Sequence, residues 1–438
     1  MTDSIIPPEG SFLSRNRDFR LFLGASLLVD AAVQIEAVTI GWQIYALARE
    51  TRGVEQSAFL VGMVGLAQFV PLFVLALFAG STADRRDRRG IILSCLALET
   101  LCVLVLLAVA FRPVPSFAVI FAVAAIFGGA RAFLSPASSA FVPMLVPRHD
   151  MARAISLKSL SWQASVIVGP WFGGLLCAHS AALAYAVTAV LYVGGMAVLL
   201  RVPSRGRPEP QAGSRIEQIR EGLSYVWGNR IVLGAISLDL FAVLLGGATA
   251  LLPAFATDVL DVGPTGFGLL RSGPALGAAT MALFLARHPL RRHAGPRMFW
   301  AVAGFGVATL VFAVSEHLWL SLVALAVLGA ADMISVYVRQ TLIQVVTPDH
   351  MRGRVASVSS VFISGSNELG EFESGVAARV LGPVGAAVFG GLGTIVVTGL
   401  WAWLFPELRR ADRLDGGPGR TEAPHAHAAT AAASQAMD

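Results

Sequence analysis

Pro147-Arg148-His149-Asp150-Met151-Ala152-Arg153-Ala154-Ile155-Ser156 returns 201 residues later as Pro348-Asp349-His350-Met351-Arg352-Gly353-Arg354-Val355-Ala356-Ser357, with proline, histidine, arginine and serine in register. The same offset carries Ser159 onto Ser360, Gly169 onto Gly370 and Gly174 onto Gly375. An offset near 210 sets Leu23-Gly24-Ala25 against Leu233-Gly234-Ala235, each followed by an aspartate, Asp30 and Asp239. Matches strung along one spacing mark a chain made twice from one unit. Parallel repeats of this size are a device of membrane transporters, with the substrate path between the halves.

Composition agrees. Hydrophobic residues make up 55% of the 438 and charged residues 14%, against about 25% charged in soluble domains. That excludes a soluble enzyme, a disordered chain and a nucleic-acid binder. A bilayer-crossing helix needs about 20 apolar residues. Such runs lie near 19–47, 57–80, 91–111, 116–141, 154–178 and 182–201, then 231–257, 265–286, 298–315, 318–346, 355–380 and 383–405. The expected architecture is all-α, twelve transmembrane helices in two pseudo-symmetric six-helix halves. The expected organisation is an N-terminal segment 1–18, a first half 19–201, a linker 202–230 with a short amphipathic helix, a second half 231–405 and a mostly disordered tail 406–438. The polar stretch to Asp18 lacks the apolar core of a cleavable signal peptide. Placing the N-terminus inside puts 24 of the 33 Lys and Arg on the inner side, so both termini are expected in the cytoplasm. Cys95, Cys102 and Cys177 lie in apolar runs without metal-ligand spacing and read as small hydrophobes. His425 and His427 read as part of a frayed tail, so no metal site is expected.

The loop after the second span reads Gly80-Ser81-Thr82-Ala83-Asp84-Arg85-Arg86-Asp87-Arg88-Arg89. It resembles the signature loop of the major facilitator superfamily, with Asp87 where that family usually has glycine. The fifth span carries Gly169-Pro170-Trp171-Phe172-Gly173-Gly174. Proline removes a backbone hydrogen bond and glycine lets helices approach closely. This motif resembles one associated with the superfamily's export branch. Three further stretches are similar to an exporter subfamily that includes the enterobactin exporter and macrolide-efflux proteins. They are Gly41-Trp42-Gln43-Ile44-Tyr45, the run from Leu134-Ser135-Pro136-Ala137 to Pro147, and the run from Thr347 through Arg354 and Asn367-Glu368 to Gly375. The resemblance covers the chain to about Arg410. It implies a cytoplasmic latch of Gly80, Asp84, Arg85, Arg88, Arg89 and Arg354. In it Asp84 faces the positive N-terminal end of the eleventh span, and the arginines hold carboxylates or lipid phosphates. It also implies that Gly169, Pro170, Gly173 and Gly174 form a helix-kink motif.

Ionisable groups inside a span are costly unless paired or hydrated, and each is a functional candidate. Asp30 and Gln34 share one face of the first span; Glu36, Thr39 and Gln43 share another. One face is expected toward the cavity, the other toward a neighbouring helix. The 201 offset sets Arg131 of span four against Asp332 of span ten, and Arg339 follows on the same face. These three are read as a cavity charge cluster, with Arg131 and Asp332 pairing either across the path or each within its own half. Lys158 and Arg271 are expected to snorkel. Glu99 reads as a local hydrogen-bond acceptor. Glu368 and Glu371 adjoin on span eleven, and carboxylates this close in a low-dielectric medium are candidates to exchange a proton. The proton-coupling candidates are therefore Asp30, Glu36, Asp239, Glu368 and Glu371.

The chain has no nucleophile elbow, no phosphate-binding loop and no zinc-protease motif. An enzyme and an ATP-driven pump are thus not expected, and no cofactor is. The reading is a monomeric transporter of a bacterial inner membrane. It exchanges protons for a small amphipathic compound, a siderophore-like metabolite or drug, in contact with membrane lipids. A symporter or importer of the same fold, and a transport-inactive sensor or assembly partner, are the rival readings.

Overall fold

The structure, a computed structural model, describes residues 12–111, 116–203, 215–290 and 292–412. The first half contains α1 (Arg17–Arg49), α2 (Val54–Arg85), α3 (Arg88–Ala110), α4 (Phe117–Leu145), α5 (Met151–His179) and α6 (Ala181–Leu199). The second opens with α7 (Arg230–Gly246), α8 (Gly263–Arg287), α9 (Ala294–Ala313) and α10 (Leu318–Val346). Helices satisfy their own backbone groups, which is what a segment in lipid must do.

Among the described residues eleven helices are long and apolar enough to cross a membrane, but the last, Asp349–Leu404, holds two spans. Gly382 sits at φ 75°, ψ 166° just before Pro383. Glycine tolerates that positive φ, and proline has no N–H with which to continue the ladder. The helix therefore divides into α11 (349–381) and α12 (383–404), giving twelve spans.

The seventh span is interrupted. After α7, Gly247 leaves helical geometry at ψ 71°, a 3₁₀ turn follows over Ala248–Leu251, and the span ends in a π-turn, Phe255–Val259. The break lies on α11: the Ser374 hydroxyl donates to the Gly247 carbonyl at 2.7 Å.

Within the first half α1 packs on α5 and α6, and α2 on α4; in the second, α8 packs on α10. The repeat persists at this level. A methyl group added at Gly128 would lie 2.0 Å from the Gln68 carbonyl oxygen of α2, and one at Gly329 would lie 1.9 Å from the Pro274 carbonyl oxygen of α8. These glycines, again 201 apart, bring α4 onto α2 and α10 onto α8.

The halves meet along α2–α11 and α5–α8. Both seams close on glycine pairs. A methyl group at Gly62 would lie 2.7 Å from Gly375 Cα, and one at Gly174 would lie 2.9 Å from Gly268 Cα. All four glycines lie toward the end of the bundle that carries the α1–α2 loop, here called the distal end; the other is the termini end.

The linker contributes a helix, Arg215–Gly228, whose Tyr225 hydroxyl donates to the Val346 carbonyl at 3.1 Å. Residues 406–412, expected in a loose tail, instead fold back on α9. Leu408 is fully buried, and Gly295 N donates to the Ala411 carbonyl at 2.8 Å. The apolar Leu408 supplies the contact that charge alone would not. The rest of the tail, with His425 and His427, and the segment 1–11 lie outside the described residues.

Candidate functional site

Between the halves lies a polar cavity of about 60 Å³, enough for a few waters. Its walls include Ile40 and Gly41 of α1, Gln68 of α2, Arg131 of α4, Arg271 of α8, and Glu368 and Glu371 of α11. Arg131 Nη1 donates to Gln68 Oε1 at 3.0 Å and stands 3.5 Å from Glu368 Oε1. Glycine makes this possible: a methyl group at Gly65 would lie 2.7 Å from the Glu368 carbonyl oxygen, so α2 and α11 touch at the level of the pair.

The expected pair of Arg131 with Asp332 is not formed. α4 packs on α2, and α2 packs on α11, so the Arg131 side chain reaches α11 rather than α10. Asp332 instead lines a small recess in the second half with Asp239 and Ser335. Arg339 does not extend a cluster with Arg131 either. It is buried and ion-paired to Asp239 of α7.

Asp30 is paired within the first half. Lys158 Nζ donates to Asp30 Oδ2 at 2.6 Å, so Lys158 does not snorkel; the nearby aspartate holds it between α5 and α1. Arg271 does not snorkel to a helix end either but borders the central cavity. The other polar face of α1 is turned onto α6: Tyr192 Oη donates to Glu36 Oε2 at 2.7 Å, and Tyr185 Oη donates to Gln43 Oε1 at 2.6 Å. Both polar faces of α1 thus meet neighbouring helices, and a third, apolar face with Ile40 and Gly41 borders the cavity. Gln68 was missed because a lone glutamine in an apolar run has no partner visible in the linear chain.

The distal end has its own polar closure, also missed. Asp258, in the π-turn of the seventh span, accepts a hydrogen bond from Tyr45 Oη and an ion pair from Arg49 Nη2 at 2.9 Å. Trp42 of α1 stacks on Phe267 of α8 beside it, ring centroids 6.2 Å apart.

At the termini end, Asp87 caps α3, accepting from Arg89 N and Gly90 N at 3.2 Å each. This accounts for aspartate at the position where the superfamily usually has glycine. Arg88 donates to the Ala140 carbonyl at 2.7 Å and Arg89 to the Leu200 carbonyl at 2.6 Å. They reach the carboxyl ends of α4 and α6, where exposed carbonyls attract cations. Arg85 is exposed, and Gly80 is buried. Arg354 pairs with Glu221 of the linker helix at 2.5 Å. The Asp84 side chain lies outside the described residues.

The expected kink motif lies within one continuous helix. Its glycines set distances: a methyl group at Gly169 would lie 2.5 Å from Gln34 Cβ, and one at Gly173 would lie 3.1 Å from Ile35 Cα. Gly174, and the Pro170 carbonyl, face Gly268 of α8. The motif therefore lets α5 contact both α1 and the opposite half.

Residues 12–431 match the family model described as transmembrane secretion effector. The enterobactin exporter EntS of Shigella boydii serotype 18 is 25% identical over 401 residues, covering 91% of this chain and 94% of that one. EntS of Escherichia coli O1:K1 is also 25% identical over the same shares. Among solved structures, a POT family transporter in complex with 5-aminolevulinic acid superposes with a TM-score of 0.69 at 11% identity, over 92% of this chain and 98% of that one. A D-xylose–proton symporter gives 0.67 at 13%, over 92% and 99%. A bacterial homologue of the human lysosomal transporter Spinster, inward-facing and unoccupied, gives 0.60 at 15%, over 91% and 97%. These structural likenesses carry the fold. The family match carries more: the chain belongs to the transmembrane secretion effector family of the major facilitator superfamily and is a multi-pass membrane transporter.

Proposed function

We propose that the chain exports a small amphipathic compound, a siderophore-like metabolite or drug, across the bacterial inner membrane in exchange for protons. The observation that carries this is the Arg131–Glu368 contact. It crosses between the halves at the central cavity, with Glu371 and Arg271 on the same walls. Charges there have to change partners whenever the halves part, and a carboxylate losing its guanidinium in a low-dielectric site takes up a proton readily. Export rather than import is supported by the family description and by the named relatives.

With the termini in the cytoplasm, as the arginine distribution favours, the Tyr45–Arg49–Asp258 closure seals the outer face. At about 60 Å³ the cavity is too small for cargo, so loading needs movement of the halves. The latch role of Gly80 and Asp84 against α11, the linker and tail as cytoplasmic segments, and action as a monomer belong to the same reading.

Metabolite profiling of culture medium with and without the gene names the cargo. Efflux of that cargo from proteoliposomes, with and without an imposed pH gradient, then tests the exchange. Glu368→Gln should abolish the gradient's effect and leave cargo binding. Gradient-independent efflux by the unaltered protein would overturn the coupling.

A further inference from the structure

In the second half α7, α9 and α10 enclose a recess of about 10 Å³, the room of one water-sized occupant. Asp239 of α7 and Asp332 and Ser335 of α10 form its polar wall, and Ala242, Val302 and Phe305 are among its apolar neighbours. Spacings of three and then four residues set Asp332, Ser335 and Arg339 on one side of α10. Arg339, 2% exposed, is ion-paired to Asp239 Oδ1. Ser335 is 4% exposed, and among the described residues neither its hydroxyl nor the Asp332 carboxylate has a hydrogen-bond or ion-pair partner. No other charged side chain borders the recess. One guanidinium thus serves two carboxylates, and one negative charge is left over in apolar surroundings. The repeat shows where the surplus arises. At the 201 offset Arg131 stands where α10 has Asp332, and Lys158, the partner of Asp30, stands where α11 has Ser359. The second half lacks both cations, and Arg339, whose counterpart is Ser138, restores only one.

We propose that this recess binds one alkali cation, sodium or potassium, held by the Asp332 carboxylate, the second oxygen of Asp239 and the Ser335 hydroxyl. Carboxylate and hydroxyl oxygens are hard ligands suited to a hard cation. A single positive charge neutralises the residual negative one, which apolar surroundings would otherwise leave uncompensated. It also gives the Ser335 oxygen the partner it lacks. A divalent ion would overshoot the charge, and magnesium would bring waters for which a recess of this size has no room. The walls of the recess share no residue with the central cavity. The cation fastens α7 to α10 beside the Asp239–Arg339 pair, and its binding is independent of proton exchange at the central cavity.

The test is thermal unfolding of the purified full-length chain in detergent, titrated with sodium chloride or potassium chloride against choline chloride at constant ionic strength. One or both alkali ions should raise the melting temperature saturably, as a ligand of the folded state does, and the more effective ion names the occupant. Asp332→Asn should abolish the rise. Ser335→Ala should raise the half-saturating concentration about tenfold, as loss of one neutral partner of a charge does. Glu368→Gln, in the central cavity, should keep the rise. Equal melting in all three salts overturns the proposal, and so does a rise that survives both changes or is lost in Glu368→Gln. A melting temperature that responds to pH but to neither alkali ion makes Asp332 a protonated acid and overturns it too. Should Asp332→Asn fail to insert, Ser335→Ala decides, and an unshifted half-saturating concentration overturns the site. Alkali-ion stabilisation with no effect of a pH gradient on efflux would sink the exchange reading and leave this site standing; the converse would sink the site alone.

Discussion

Arg49 Nη2 lies 2.9 Å from Asp258 Oδ1, joining the first span of one half to the π-turn of the seventh span in the other. The Tyr45 hydroxyl takes the second carboxylate oxygen. One carboxylate thus holds two groups of α1 across the seam, at the end where Gly62–Gly375 and Gly174–Gly268 also close.

Asp258→Asn should weaken this closure and shift the population toward a distally open state. The Arg49 and Asp258 side chains are 34% and 20% exposed, so solvent screens the pair and its worth is about 1 kcal/mol or less. That corresponds to at most about a fivefold shift between two states. Reaction of a single cysteine placed at Ile40 with a membrane-impermeant thiol reagent, in a background lacking the native cysteines, measures it. Unchanged labelling from the distal face would show that the glycine seams alone hold the end shut.

The glycine seams give a sharper outcome. Gly174→Val would force a side chain against the Pro264 carbonyl, where even a methyl group would lie at 2.4 Å. The backbone of α8 cannot yield as a flexible side chain does, so α5 and α8 should separate at the distal end. Export should fall at least tenfold while the protein still inserts, because each half keeps its own packing. Cysteine cross-linking between the distal ends of α5 and α8 should fall with it, and retention of both would refute the seam's role.

Much of the fold was legible in the chain. Twelve apolar runs, the 201-residue repeat and the arginine-rich junctions carry it, because lipid demands long helices and a duplicated unit keeps its glycines, as Gly128 and Gly329 show. Gly382–Pro383 also punctuates the sequence plainly. The site was less legible. The repeat set Arg131 opposite Asp332, but the partner of a side chain depends on helix rotation and on which helices touch. Neither is a property of the offset. Arg131 accordingly meets Glu368, and Arg339 meets Asp239. The Asp258 closure stayed hidden because its members lie 209 residues apart in an interrupted span. The Asp87 cap, by contrast, is a local feature that its neighbours in sequence make readable.

Arg131→Ala should be more harmful than Glu368→Gln. Removing the guanidinium leaves Glu368 without its cation and Gln68 without its donor, whereas the glutamine keeps an oxygen near Arg131 Nη1. The two side chains are 33% and 17% exposed and 3.5 Å apart, so water screens this pair too, and thermal unfolding in detergent should show Arg131→Ala destabilised by about 1 kcal/mol and Glu368→Gln by less. Equal melting temperatures for the two variants would mean that Arg131 is hydrated rather than paired.

The Asp30–Lys158 bridge separates structure from coupling by a double-mutant cycle. Nζ and Oδ2 are 2.6 Å apart, with side chains 25% and 12% exposed, so each single change strands a largely buried partner. Lys158→Met alone and Asp30→Asn alone should each lower stability by about 1–3 kcal/mol. The double variant should recover most of that, since two neutral side chains leave no charge uncompensated. The coupling energy is the difference between the double loss and the sum of the singles. If the pair is only a brace between α1 and α5, the double variant should also recover gradient-driven export. If Asp30 carries a proton during the cycle, stability should return while the pH gradient no longer drives efflux. Measuring melting temperature and proteoliposome efflux on the same four proteins distinguishes the two. A double variant no more stable than either single would show that the bridge does not hold the two helices together.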